Sequence, residues 1–147
     1  MWEKISKLFE PESASGENRN SCVLVIDDGL IERRIVSRIF ERRGFRVLTA
    51  ANGVKGIELA KQEAPDVIIL DYIMPGLNGA EVCSILKNTE STRHIPIIIL
   101  TGSTRPWTVI ECYERGADYY LNKPIDAAIL IKHVEACLTE KMLVASI

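Results

Sequence analysis

Three apolar runs constrain this chain more than any other feature: Val-Leu-Val-Ile at residues 23–26, Val-Ile-Ile-Leu at 67–70 and Ile-Ile-Ile-Leu at 97–100. Each is too short for a helix and lacks the apolar–polar alternation of a sheet with one wet face. Runs of this kind are strands buried on both sides, which means a parallel sheet covered by helices. Each run ends abruptly in a polar group. Asp27 and Asp28 follow the first, Asp71 the second and Thr101 the third, while a weaker run at 119–122 leads into Lys123.

Between the runs the apolar spacing is helical. Residues 30–43 carry Ile31, Ile35, Ile39 and Phe40 on one face and are closed by Gly44. Residues 45–49 read as a shorter strand, and 53–63 as a helix stopped before Pro65. A helix over 79–87 follows a Met-Pro-Gly loop, another over 104–115 ends at Gly116, and a fifth strand spans 118–121. The last helix, 126–141, turns Leu130, Val134, Cys137 and Leu138 inward. Strict alternation of strand and helix predicts an α/β three-layer sandwich. Arg46 and Asp118 mark the second and fifth strands as edges, which predicts a five-stranded parallel sheet of flavodoxin-like order 2-1-3-4-5, with helices on both faces.

In such a sheet, chemistry gathers beyond the carboxyl ends of the strands. Asp27, Asp28, Asp71, Thr101 and Lys123 should therefore meet at one edge. Three carboxylates brought close repel one another, and a hard divalent cation such as Mg²⁺ relieves the conflict. A carboxylate can also act as a nucleophile toward phosphorus, and Asp71, at the end of a fully apolar strand, is rigidly held for that task. The phosphoryl oxygens then need compensation, which the cation, the Lys123 ammonium and the Thr101 hydroxyl can share. Simpler roles compete: Asp28 as the cap of the following helix, Asp71 as the start of a turn, and Lys123 as a solvated surface residue.

Composition removes other classes. A net charge of −2 with 26% charged residues offers no basic face for nucleic acid. The four cysteines are widely separated, without a CxxC pair, and read as reduced, semi-buried small hydrophobes. His94 and His133 have no metal-ligand partners at useful spacing and read as surface residues. There is no Walker-type loop, no GxGxxG after a strand and no nucleophile elbow. No stretch approaches the roughly 20 apolar residues of a membrane-spanning helix, and the charged start is not a secretory leader. The expected setting is the cytoplasm. The chain divides into a short amphipathic segment with a polar linker (1–20, with Trp2, Ile5, Leu8 and Phe9 at helical spacing), a main domain (21–141) and a short apolar tail (142–147).

The stretch 21–141, about 120 of the 147 residues, resembles the receiver domain of bacterial two-component response regulators, in particular the single-domain chemotaxis type. The resemblance rests on Val-Leu-Val-Ile-Asp27-Asp28 with Arg33 five residues on, Ile-Leu-Asp71-Tyr-Ile-Met74-Pro75-Gly-Leu-Asn-Gly79, Pro96-Ile-Ile-Ile-Leu-Thr101-Gly, and Gly116-Ala-Asp-Tyr-Tyr120-Leu-Asn-Lys123-Pro124. It implies that Asp71 accepts the phosphoryl group. It further implies that Asp27, Asp28 and Asp71 hold Mg²⁺ or Mn²⁺ with the backbone carbonyl of Ile73, and that Lys123 pairs with the phosphate. Thr101 and Tyr120 take the switch positions, and the Lys123–Pro124 peptide is cis. The implied partners are a sensor histidine kinase or histidine phosphotransfer protein and a downstream protein. Apart from the resemblance, the segment 1–20 must pack on something: this domain or a dimer neighbour is the simpler expectation, and docking to a partner or a membrane surface is the alternative; a homodimer through the last two helices is open.

Three departures from the family pattern stand out. Gly29 follows the acidic pair where a polar or acidic residue is common, which predicts a somewhat poorer metal site. Ile73 and Ser103 occupy the positions that tune phosphate lifetime, and apolar Ile73 has nothing to orient water, which predicts a long-lived phosphoryl group. The short tail 142–147 is not expected to form an output domain. The expected function is a phosphorylation-switched regulator that is a signalling protein rather than an enzyme acting on other substrates. Its alternatives are a phosphotransfer intermediate or phosphate sink, a phosphorylation-independent adaptor, and the receiver part of a longer regulator.

Overall fold

The structure is a computed structural model, described here for residues 20–145. The amphipathic segment expected at the N-terminus lies almost wholly outside the described residues. The elements are β1 (Cys22–Ile26), α1 (Leu30–Glu41), β2 (Arg46–Ala50), α2 (Gly53–Glu63), β3 (Val67–Asp71), α3 (Gly79–Lys87), β4 (Ile97–Thr101), α4 (Pro106–Glu114), β5 (Tyr119–Asn122) and α5 (Ala127–Ala145). All neighbouring strands pair in parallel, in the order β2-β1-β3-β4-β5. The three apolar runs become β1, β3 and β4, each buried at every position.

Side-chain alternation divides these strands between two cores. Leu24, Ile26, Ile68, Leu70, Ile97 and Ile99 pack with residues of α2, α3 and α4. Val23, Val25, Val67, Ile69, Ile98 and Leu100 pack with α1 and α5. Leu130, Val134 and Cys137 face in as expected, with Leu138 packed alongside. Buried Gly56 lets α2 lie directly on β1, since a Cβ there would press on the Ile26 side chain. All four cysteines are buried and free. Among the described residues, no helix is long and apolar enough to cross a membrane.

Several boundaries differ from the sequence expectation. The first helix ends at Glu41, because Arg42 and Arg43 fold into a turn that closes through Gly44 at φ 88°. Phe45 then belongs to the turn, edge-on to Phe40 at 5.4 Å, and the second strand begins one residue later. On this helix Val36 is fully buried, while the first turn is open, with Leu30 53% and Ile31 74% exposed. The fourth helix starts at Pro106 rather than residue 104. Proline disfavours helical backbone in the residue before it, and Arg105 is extended at φ −72°, ψ 127°. The last helix continues four residues past 141, to Ala145.

Candidate functional site

The expected residues meet because the backbone ladder aligns the strand ends. The Tyr72 amide, just past Asp71, donates to the Leu100 carbonyl at 2.9 Å, and the Lys123 amide donates to the Thr101 carbonyl at 2.7 Å. The Lys123–Pro124 peptide is cis. On the other side, the Asp27 amide donates to the Ala50 carbonyl at 3.1 Å, and the Arg33 guanidinium clamps the Asp27 carbonyl at 2.7 Å. The sheet edge is thus fixed by backbone hydrogen bonds, with the Arg33 side chain as a further tie.

One carboxylate oxygen each from Asp27, Asp28 and Asp71 lies within 4.8 Å of the other two. Asp27 and Asp71 are buried at 2% and 5% exposure, and Asp28 is exposed. Asp28 does not cap α1: Gly29 is the capping residue, and no side chain serves the helix end. Burial pushes the Asp27 carboxyl up to about 6, opposed by the Gly29 amide, which donates to it at 2.8 Å, and reinforced by the nearby Asp71 charge. Burial also raises Asp71, against its contact with Lys123. The cluster therefore resists full ionisation, and a hard cation with an appetite for oxygen would remove that resistance. The donor set fits Mg²⁺: three carboxylates, one open to solvent, with room left for water.

Lys123 supplies the cation present in the protein itself. Its Nζ lies 3.1 Å from Asp71, 3.8 Å from Asp27 and 2.7 Å from Glu32. Burial pulls the ammonium's pKa down, but Glu32 and Asp71 outweigh it, and Lys123 stays firmly charged. Glu32, in the first turn of α1, is absent from the sequence reading. A first-turn acid suits the helix dipole on any helix and so carries no signal by itself.

Strand alternation separates the remaining residues. Asp71 continues the phase of Val67 and Ile69, toward α1 and α5, whereas Thr101 continues that of Ile97 and Ile99, toward α2, α3 and α4. Thr101 is fully buried, and its hydroxyl accepts the Ser103 amide at 3.0 Å. Tyr120 pairs with Ile99 on the same face, is half-buried, and donates its phenol to the Ser103 carbonyl at 3.0 Å. Burial raises the Tyr120 phenol's pKa, opposed by hydrogen bonding with Thr101. Ser103 also meets the Thr108 hydroxyl of α4 at 3.3 Å. It is the junction of Thr101, Tyr120 and α4, a role its sequence position did not reveal. Ile73 beside the cluster is 64% exposed.

This arrangement has close relatives. The model of the response regulator receiver domain matches residues 23–135. Protein PilH of Pseudomonas aeruginosa is 38% identical over 116 residues, covering 79% of this chain and 96% of PilH. The DNA-binding dual master transcriptional regulator RpaA of Synechocystis is also 38% identical, but the match covers only 48% of its length. Among solved structures, chemotaxis protein CheY4 of Vibrio cholerae superposes with a TM-score of 0.76 at 32% identity, covering 80% of this chain and 98% of that one. The receiver domain of a Syntrophus aciditrophicus histidine kinase superposes at 0.77 with 30% identity, covering 82% and 91%. The chain belongs to the response regulator receiver family, and its function is phosphorylation-switched signalling in a two-component system. Receiver domains work with histidine kinases and downstream effectors.

Proposed function

We propose that Asp71 is the phospho-acceptor. One Asp71 oxygen attacks the phosphorus of a phosphohistidine on a kinase or phosphotransfer protein. The P–N bond breaks, and its electron pair leaves with the imidazole. Asp27, Asp28 and Asp71, with the Ile73 carbonyl, hold Mg²⁺ or Mn²⁺, which when bound supplies charge compensation for the phosphoryl oxygens. The observation that carries this reading is the Lys123 ammonium 3.1 Å from Asp71, beside three converging carboxylates. Lys123 neutralises charge as it builds on the transferred group. Thr101 and Tyr120 read the event. Their shared attachment to Ser103, and Ser103's contact with Thr108, couple the site to α4 and so to a partner-binding face. Loss of the phosphoryl group by hydrolysis on the same chain belongs to this reading, with exposed, apolar Ile73 favouring a slow rate. A cytoplasmic setting goes with it, supported by the four free, buried cysteines.

Incubation with Mg²⁺ and acetyl phosphate tests the assignment. The wild type should gain the mass of one phosphoryl group, labile to base and to hydroxylamine, and Asp71→Asn should gain none. An undiminished gain in Asp71→Asn would place the acceptor elsewhere.

A further inference from the structure

Lys123 makes its shortest side-chain contact not with Asp71, at 3.1 Å, but with Glu32, at 2.7 Å. Glu32 stands in the first turn of α1, 91 residues away in sequence. It reaches the site through a gap. A Cβ on Gly29 would stand 3.3 Å from the Asp27 Oδ1, a tight contact, and 3.4 Å from the Glu32 Oε2, at the edge of van der Waals contact. Gly29 has an unremarkable backbone, φ −77° and ψ 116°, so the glycine is not needed for the turn. What its missing side chain provides is space over the cluster, and the Glu32 carboxylate borders that space.

We propose that Glu32 is a positioning residue that shares the Lys123 ammonium with the acceptor until a phosphoryl group claims it, and that the absent side chain of Gly29 leaves Glu32 room beside the cluster. The proposal rests on the reading of Asp71 as acceptor and of Lys123 as the phosphate's partner. Glu32's side chain is 49% exposed, so its grip on Lys123 is that of a solvent-screened pair, weak enough to be surrendered. A phosphoryl dianion on Asp71 is the stronger competitor, because it sits among more buried groups and offers more acceptor oxygens. Glu32 acts in opposite directions on the two ligands of the site. Its negative charge favours a divalent cation beside Asp27 and Asp28. The same charge repels a phosphoryl group and competes with it for Lys123.

The test is Glu32→Gln, which keeps size and hydrogen-bonding capacity but removes the charge. Two affinities are measured: Mg²⁺ alone by calorimetry, and beryllium fluoride, a phosphoryl mimic, by fluorine NMR at magnesium saturating for each protein. The variant should bind Mg²⁺ about two- to fivefold more weakly and the mimic about two- to fivefold more tightly, the range of a single screened charge. Glu32→Asp retains the charge but withdraws it from Lys123, so it should hold Mg²⁺ as the wild type does and still bind the mimic more tightly. Weakening of both ligands in Glu32→Gln would make Glu32 part of the site's support and overturn the proposal, as would an unchanged mimic affinity. A wild type that takes Mg²⁺ but no mimic would instead sink the acceptor reading beneath it, and this inference with it.

Discussion

The elements around Asp71 and those around Tyr120 are built to different standards. On the accepting side, β1 and β3 are buried at every residue. The helix after Asp71 is closed by a full capping box between Asn78 and Glu81, and the Gly79 amide is tied to the Tyr72 carbonyl at 2.8 Å. On the responding side, β5 has no fully buried residue, and α4, like α1, has no side-chain cap. That helix buries only Thr108 and Cys112, and leaves Trp107, Ile110 and Tyr113 largely exposed. The difference suits the function proposed for each half. Charges that must converge on one cation and one phosphorus need atoms that stay in place, whereas an element that changes its presentation must be cheap to move.

This contrast is open to attack by mutation, beginning where the effect should be largest. A Cβ at Gly79 would fall 2.6 Å from the Asp71 carbonyl oxygen and 2.7 Å from the Tyr72 Cα, and both are backbone atoms that cannot swing aside. Gly79→Ala should cost about 2–3 kcal/mol in urea unfolding, and a loss below ~1 kcal/mol would show that the accepting half yields more easily than its packing implies. Next is the charge cluster. Asp27→Asn removes a buried carboxylate that resists ionisation, so metal-free stability should rise by about 1–2 kcal/mol, while the stabilisation conferred by Mg²⁺ shrinks. The sign with pH is fixed by the direction of the shift. The folded carboxyl titrates near 6 against an ordinary 3.8, so between these values the fold holds a proton that the unfolded chain has released. The Asp27 contribution therefore makes the metal-free wild type lose stability as pH rises through that interval, and Asp27→Asn should lack that component in a series of melting curves.

Smaller effects should appear on the responding half. Tyr120→Phe gives up one half-buried phenol hydrogen bond and should cost ~1 kcal/mol. Phosphorylation by acetyl phosphate should survive the change, while the response of a phosphorylation-dependent partner weakens; a fully retained response would remove Tyr120 from the readout. Smallest of all, Ile110→Ala on the open face of α4 should shift unfolding by less than about 0.5 kcal/mol. A loss of 2 kcal/mol or more would mean that this helix is as firmly packed as those across the sheet.

The same contrast explains what could be read from the sequence. The accepting half is local and repetitive: uniform apolar runs leave one architecture available, and polar groups at their ends mark the edge where they meet. Asp27, Asp71 and Lys123 needed only that logic. Boundaries shift where a single backbone constraint acts, as at Pro106, and the exposure of Ile31 is not legible because helical periodicity identifies a stripe without saying how much of it is covered. The Glu32–Lys123 contact joins two loop-proximal side chains across most of the domain, and no spacing rule reports it. Ser103 is similarly silent. Its backbone carbonyl and amide hold Tyr120 and Thr101, and backbone groups are the same in every residue.

The four free cysteines have a practical consequence. Burial pushes the Cys83 and Cys137 thiols up to about 12, Cys112 to about 11, and Cys22 above its ordinary value. All four are also buried, so alkylating reagents, which attack the exposed thiolate, meet neither the form nor the access they need. The folded domain is therefore nearly silent to maleimide chemistry despite its cysteine content. One thiol introduced on the open face of α4 would take up a dye almost alone, and the native cysteines need not be removed first.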